Sequence, residues 1–522
     1  MDTTHSILRS AKQFFAGTAI SRMSGLFREM AMAFCFGTAP EIAAFMVAYR
    51  LANLFRRLFG EGNLQAGFVP HFESLRGESP QSAFRFYRAT AFSLSLSLGV
   101  AVLAIEGLLW WGTKALPQGW SEIAELTMWM APGLLFICLS ALNSALLQCQ
   151  KDYFAPAFAP VLFNGVWIAA ALFAYRFPLG EAVRLLSAAV TLAFAAQWGI
   201  TAFRVRKEIR KHGEILSSAP RFSPEWKRIL KPMALGVVGI GAMQVNSALD
   251  SIFARIADLS GPTYLWYAIR VQQLPLALFG IALSGALLPP LARAFRQGDS
   301  ERYQGLLAAA LRQAAALMFP CAFALFALGS SGLNLLYGRG HFSAADLQET
   351  LFCLWAYGVG LIPAGFVLLL ATGSYAKKAY ASPTTASLIS IGLHAALNAL
   401  LVFGLGWGAI SVALATSASA FLNCSLLLRR QKVDPLFWSY LFKLGAAAAI
   451  ATLLSIASGV WLGDGTWAVC SGDSVSLSRN PLDQIVQFGA MAALFAGAFL
   501  GVSKALRIDE VFLILQRPVK QE

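Results

Sequence analysis

The sequence predicts an all-α membrane protein of about 14 transmembrane helices, built as two pseudo-repeated six-helix lobes plus two C-terminal helices. Three observations carry this. Of the 522 residues, 57% are hydrophobic and only 13% charged, with a mean hydropathy of +0.60. A soluble chain carries about a quarter charged residues. The apolar residues gather into stretches close to the roughly 20 residues that span a bilayer core. The basic residues gather between those stretches, and in alternate connections.

The apolar stretches lie near 14–36, 42–60, 90–111, 126–148, 155–175, 183–203, 232–257, 263–290, 306–329, 350–372, 383–403, 406–428, 440–462 and 484–503. Lys and Arg in short loops mark the cytoplasmic side. They occur after the second stretch (Arg76, Arg85, Arg88), the fourth (Lys151), the sixth (Arg204 to Arg228), the eighth (Arg293, Arg296, Arg302), the tenth (Lys377, Lys378) and the twelfth (Arg429, Arg430, Lys432). The alternate connections are poor in them: Gly404 to Gly408 holds none. Both termini are therefore expected in the cytoplasm of a bacterial cell, with the chain multi-pass in the cytoplasmic (inner) membrane.

A net charge of +14 would suggest nucleic acid in a soluble protein, but here the charge sets orientation, and nucleic acid is not an expected partner. The seven cysteines form no CxxC and sit mostly in apolar stretches, which argues against zinc and a disulfide framework. The polar start, Met1 to Lys12, lacks the pattern of a cleaved signal peptide. GxxxxGK[ST], HExxH and GxSxG are all missing, so the chain is expected to be a transporter and not an enzyme, with no bound cofactor.

An internal repeat supports the lobes. At an offset of 220, Ala48, Arg50, Leu54, Leu58, Phe59, Gly60, Ala66, Pro70 and Arg76 recur as Ala268, Arg270, Leu274, Leu278, Phe279, Gly280, Ala286, Pro290 and Arg296. A second echo pairs the run Lys151 to Pro156 with Lys378 to Pro383, each placed where a helix begins after the Pro. The expected organisation is 1–203 as N-lobe, 204–231 as basic cytoplasmic linker, 232–432 as C-lobe, and 433–522 as a helix pair and tail. Repeats of this kind place a transporter's site between its lobes.

Polar residues inside the stretches mark candidate binding groups. Thr18, Ser21, Arg22, Gly25, Arg28 and Glu29 fall within a stripe roughly 120° wide at helical spacing. Arg50, Asn53, Arg57, Gly60 and Glu61 form a second stripe with Arg56 at its edge, and Arg57 and Glu61 stand at i,i+4 spacing. Arg270 follows Tyr264, Trp266 and Tyr267. Ionisable groups within a span are expensive against lipid and face a wet cavity or one another. The plainer readings are snorkelling arginines, positive-inside anchors and ion pairs in the bundle. Arginine suits bidentate phosphate binding, so Arg22, Arg28, Arg50, Arg56, Arg57 and Arg270 together favour a phosphate or pyrophosphate over an organic cation. Leu444 to Gly463 and Gln484 to Ser503 carry no charge, which suits lipid anchors or a groove for a long acyl or prenyl chain.

The runs Ser21 to Glu29, Asn53 to Arg57 with Glu61-Gly62, Phe68-Val-Pro70, Ala155 to Pro160 with Asn164, and Arg270 with Pro275, Gly280 and Leu287 to Pro289 resemble the MurJ (MviN) lipid II flippases over nearly the whole chain. The resemblance implies the fold of the multidrug/oligosaccharidyl-lipid/polysaccharide exporters. It also implies lipid II, the undecaprenyl pyrophosphate-linked disaccharide-pentapeptide, as substrate, with membrane lipids and cell-wall synthesis proteins as further candidate partners. Functional cavity arginines would correspond to Arg22, Arg28, Arg56 and Arg270, with Arg57 beside them. Two acidic positions of some relatives are Ala43 and Gln273 here. Sodium-site positions correspond to Asp250, His394 and Asn398, with Asp250 and Asn398 the candidate sodium ligands and His394 an alternative proton carrier. The plainer reading pairs Asp250 with Arg255.

The expected activity is lipid II flipping from the inner to the outer leaflet by alternating access. Rival readings are an exporter of another polyprenyl-linked glycan or small molecule, a non-transporting cell-wall scaffold, and a membrane glycosyltransferase.

Overall fold

The computed structural model describes residues 4–59, 63–210, 244, 246–431, 435–461 and 478–515; side chains at 4–19, 55–59, 63–66, 435 and 513–515 lie outside that description. Every regular element among these residues is helical. The chain forms two compact units, Met1–Ile252 and Phe253–Glu522.

The first unit holds α1 (Thr4–Phe36), α2 (Pro40–Phe59), α3 (Asn63–Glu78), α4 (Pro80–Ala115), α5 (Trp120–Met130), α6 (Gly133–Cys149), α7 (Phe154–Ala174) and α8 (Leu179–Arg210). A further helix, α9, covers 246–257 across the division. The second unit holds α10 (Gly261–Pro275), which runs through a π-helical turn at Leu276–Ile281 into α11 (Ala282–Arg296), then α12 (Ser300–Tyr337), α13 (Ala344–Val359), α14 (Leu361–Ala376) and α15 (Ala381–Ala399). After α15 a second π-helical turn covers Leu400–Leu405, and α16 (Ile410–Leu428), α17 (Pro435–Trp461), α18 (Pro481–Ala505) and α19 (Asp509–Leu515) complete the unit. Most of the expected linker, 211–231, lies outside the described residues.

The repeat is visible in helix starts and stops. Helices α4 and α12 begin at Pro80 and Ser300, again 220 apart. Helices α6 and α14 end in the same way. Lys151 and Lys378 both take left-handed backbone, with φ of 62° and 58°. Asp152 N then donates to Leu147 O at 2.9 Å and Lys151 N to Gln148 O at 2.9 Å. In the second unit Ala379 N donates to Ser374 O at 3.0 Å and Lys378 N to Tyr375 O at 2.9 Å. This pair of bonds defines a Schellman stop, normally made by glycine. Helices α7 and α15 begin before Pro156 and Pro383, not after them. A proline fits there because first-turn amides have no intrahelical acceptor to lose.

Three expectations about spans need correction. The connection after the second stretch is not a loop: it contains α3, and α4 starts at Pro80 and runs 36 residues, about 54 Å at 1.5 Å per residue. That exceeds the roughly 30 Å of bilayer hydrocarbon, so α4 reaches past it. The stretch near 126–148 is two helices, α5 and α6, bent by 42° at Ala131-Pro132. The stretch near 350–372 is interrupted at Gly360, where a Cβ would lie 2.5 Å from Ser417 Oγ. Among the described residues ten helical stretches are long and apolar enough to span, or eleven with the bent pair. Helices α1 and α2 fall short of that apolarity because of the charges on their polar stripes.

The C-terminal helices are not a separate layer. Leu444, Ala447, Ala448 and Ala451 of α17, Phe495 and Phe499 of α18, and Val511 of α19 share one core with Leu311, Ala314 and Ala315 of α12. Gln484 of α18 clamps them: its amide nitrogen donates to Ser478 O at 2.9 Å and Asn334 Oδ1 at 3.3 Å, and it accepts from Arg339 Nη2 at 3.0 Å. The outer faces stay apolar and exposed, as at Phe442, Leu453, Trp461, Leu482 and Val486.

Candidate functional site

Helix α1 packs against α7, and its polar stripe supplies the contact. Arg28 is buried, 7% exposed, with Glu29 beside it at 3%. A charge pair that far from water needs its hydrogen-bonding groups answered. Arg28 Nη1 donates to Asn164 Oδ1 of α7 at 3.0 Å, Nη2 pairs with Glu29 Oε1, and the guanidinium lies 4.6 Å from the centre of the Trp167 ring. Asn164 in turn donates to Ser24 Oγ at 2.8 Å and to the Ser21 carbonyl at 3.4 Å. Trp167 is held edge-on by Tyr49 and Phe45 of α2, at 4.8 and 5.5 Å. The stripe is thus divided. Arg28 and Glu29 are locked into the unit, whereas Arg22, six residues earlier, is exposed.

On α2, Arg50 is half-buried and donates to the Ser247 carbonyl of α9 at 3.3 Å. Asn53 lies one turn further, with its carbonyl oxygen buried and without a hydrogen-bond partner. The backbone of Arg56 and Arg57 belongs to α2, but their side chains, and Glu61 entirely, lie outside the described residues, as does the expected Arg57–Glu61 pair. Ala43 is fully buried in the core of the first unit.

In the second unit Arg270 on α10 is half-buried, its guanidinium 4.4 Å from the Trp266 ring centre. Gln273 is exposed. His394 and Asn398 share a buried face of α15: Asn398 Nδ2 lies 3.3 Å from His394 Nε2, which lies 3.3 Å from Thr416 Oγ1 of α16. Asn398 Oδ1 is buried without a partner. Asp250, on α9, belongs to the first unit. The Arg255 guanidinium donates to the Leu259 carbonyl.

Sequence reasoning left Trp167 and Thr416 without a role and gave Asn164 none beyond the resemblance. All three lie in apolar helices, and only tertiary packing brings Asn164 and Trp167 to Arg28 and Thr416 to His394.

The sequence profile of the family described as "Lipid II flippase MurJ" matches residues 32–469. The "Probable lipid II flippase MurJ" of Chlamydia pneumoniae is 29% identical over 98% of this chain and 94% of its own. That of Rhizobium tropici is 30% identical over 92% and 91%. The solved structure "Lipid II flippase MurJ, inward closed conformation" superposes with a TM-score of 0.75 at 21% identity, covering 95% of this chain and 99% of that one. An inward-facing multidrug transporter of the MATE family in the MOP superfamily gives 0.63 at 17%, covering 81% and 96%. These two show the shared fold.

Proposed function

Because the chain belongs to the lipid II flippase MurJ family, we propose that it flips lipid II from the inner to the outer leaflet of a bacterial cytoplasmic membrane by alternating access. It is a transporter and performs no covalent step. The observation that carries the site assignment is the guanidinium-rich polar face on otherwise apolar helices. A guanidinium in a span suits an anion whose own tail is in lipid, since both the charge cost and the substrate's desolvation are met by one contact.

The pyrophosphate is assigned to Arg22, with Ser21 beside it, and Arg50 with Asn53 in the first unit, to Arg270 in the second, and to Arg56 and Arg57 with Glu61 nearby. Arg28 joins them by exchange: the pyrophosphate takes the place of Glu29 on its Nη2. Until then the buried pair keeps both charges neutralised and α1 seated on α7. The undecaprenyl tail stays in lipid, against the exposed apolar faces of α17 and α18. Drive is assigned to a sodium ion or proton, with Asp250 of the first unit and His394 and Asn398 of the second as its candidate groups. The loop charges support both termini in the cytoplasm, and cell-wall synthesis proteins are the candidate protein partners.

The test replaces the native copy with Arg22→Ala or Arg270→Ala. Each is expected to abolish growth while the protein still reaches the membrane, and the lysine versions to restore it in part, because an ammonium lacks the planar fork. Normal growth of both alanine strains would remove these arginines from the site.

A further inference from the structure

The two broken helices break at equivalent places. The offset of 227 that relates the helix stops at Lys151 and Lys378 also relates Gly133, where α6 begins, to Gly360, where α14 begins. It relates the carbonyls of Trp129 and Ala356 too, each four residues before its glycine. In a straight helix the glycine's own amide would reach that carbonyl. Here a hydroxyl of a neighbouring helix takes it: Thr191 Oγ1 of α8 donates to Trp129 O at 2.8 Å, and Ser417 Oγ of α16 donates to Ala356 O at 2.5 Å. In the second unit the Gly360 amide donates instead to Tyr357 O at 3.1 Å, one residue short. The glycines admit the neighbour. A Cβ at 133 would lie 2.6 Å from the Phe194 ring of α8, and one at 360 would lie 2.5 Å from Ser417 Oγ itself.

These bonds have a second arrangement of the same kind. When the helix straightens, the glycine amide returns to the carbonyl four residues back. The freed hydroxyl then turns to the carbonyl four back in its own helix, Ser187 O or Ala413 O, as Ser and Thr do within helices. Neither form orphans the carbonyl at the break in a medium that offers it no water. A small cavity lined by Thr127, Met130, Ala131, Leu134, Ile137 and Phe194 lies along the first break and gives the helix room to repack.

We propose that the two breaks are one hinge carried by both copies of the repeat. Each unit switches its broken helix between a bent form held by the hydroxyl and a straight form held by the glycine amide. A discrete exchange of partners at a few residues is how a packed element acquires two states. Use of the switch in alternating access rests on the transport reading, whereas the switch itself does not. Helix α5 has 11 residues, about 16 Å, so straightening through 42° carries its N-terminal end by about 11 Å.

The experiment places spin-label pairs on the full chain in lipid nanodiscs and measures their separation by double electron–electron resonance. In the first unit the labels sit at the exposed positions Gln118, before α5, and Arg176, between α7 and α8. In the second they sit at exposed Ala345, at the start of α13, and Trp407, between α15 and α16. Thr191→Val leaves the glycine amide as the donor for Trp129 O and is expected to shift the first distance by several ångströms, up to about 11 Å. Ser417→Ala is expected to shift the second. Thr191→Ser keeps the hydroxyl and is expected to keep the wild-type distance. Thr127→Val, whose hydroxyl bonds the Ile123 carbonyl within α5, is expected to do the same. Unchanged distances in Thr191→Val and Ser417→Ala overturn the hinge, and a shift in one unit alone overturns its being shared. An equal shift in Thr127→Val also overturns it, by showing general loosening. Growth of the same strains tests the use in transport separately, so the hinge and the transport reading can fail apart.

Discussion

Arg28→Ala offers a prediction in which stability and function separate. The substitution removes the hydrogen bond to Asn164, the contact with the Trp167 ring, and the partner of Glu29, which is only 3% exposed. A hydrogen bond to a charged group is worth about 1.5–3 kcal/mol and a guanidinium–aromatic contact about 0.5–2. Leaving a buried carboxylate unanswered brings the total for a broken buried pair to about 3–5 kcal/mol. A unit of this size loses on the order of 10 °C in melting temperature for that change. Arg28→Met/Glu29→Gln removes both charges together, and replacing a buried pair by neutral groups is close to neutral for stability. The double variant should therefore melt near the wild type, yet fail to support growth, because nothing remains on α1 to receive the pyrophosphate at that depth. Melting of the purified proteins and replacement of the native gene are the assays. Growth of the stable double variant would refute the assignment of Arg28 to the substrate. An unchanged melting temperature for Arg28→Ala would refute the buried pair itself.

Other positions give sharper or simpler outcomes. Gly360→Ala places a methyl 2.5 Å from Ser417 Oγ and 2.8 Å from its Cα, and should destabilise by about 1–3 kcal/mol, whereas Gly285→Ala meets nothing within 4 Å and should cost nothing in thermal melting. Gln484→Leu leaves Asn334 Oδ1 without its donor and the guanidinium of Arg339 short of an acceptor, and should lower the melting temperature by the equivalent of about 1–3 kcal/mol. Cys149 is buried and cannot report topology, so single cysteines at the exposed positions Gln118 and Gln297 should instead be labelled on intact spheroplasts by an impermeant thiol reagent at 118 and spared at 297; the reverse pattern inverts the orientation. Asp250→Asn, measured in vesicles with the sodium gradient and proton-motive force varied separately, should remove dependence on one of them, and unchanged dependence on both would make Asp250 structural.

The fold was legible where one residue type decides the physics. Length and apolarity locate spans because the bilayer sets a fixed thickness, and the paired Lys151 and Lys378 echo proved to be two copies of one helix stop. The breaks at Ala131-Pro132 and Gly360 escape a hydropathy reading, since the apolar run continues through both. Helix α3 escapes it for the opposite reason: Asn63–Glu78 is too polar to read as a span, and its helix is completed by tertiary contacts such as Arg76 donating to the Cys149 carbonyl at 2.7 Å. At the site, the spacing of Ser21, Arg22, Gly25, Arg28 and Glu29 exposes the stripe, but not its division into an exposed Arg22 and a buried Arg28. That division is made by Asn164, 136 positions away, and no periodicity in α1 points to it.

Depleting the protein from growing cells and measuring which leaflet holds lipid II, through its accessibility to an external lipid II-cleaving enzyme, tests the flipping activity itself. Lipid II is expected to remain in the cell but become inaccessible from outside, with accessibility restored by re-expression of the wild type and not by Arg270→Ala. Undiminished outer-leaflet lipid II in depleted cells would contradict it.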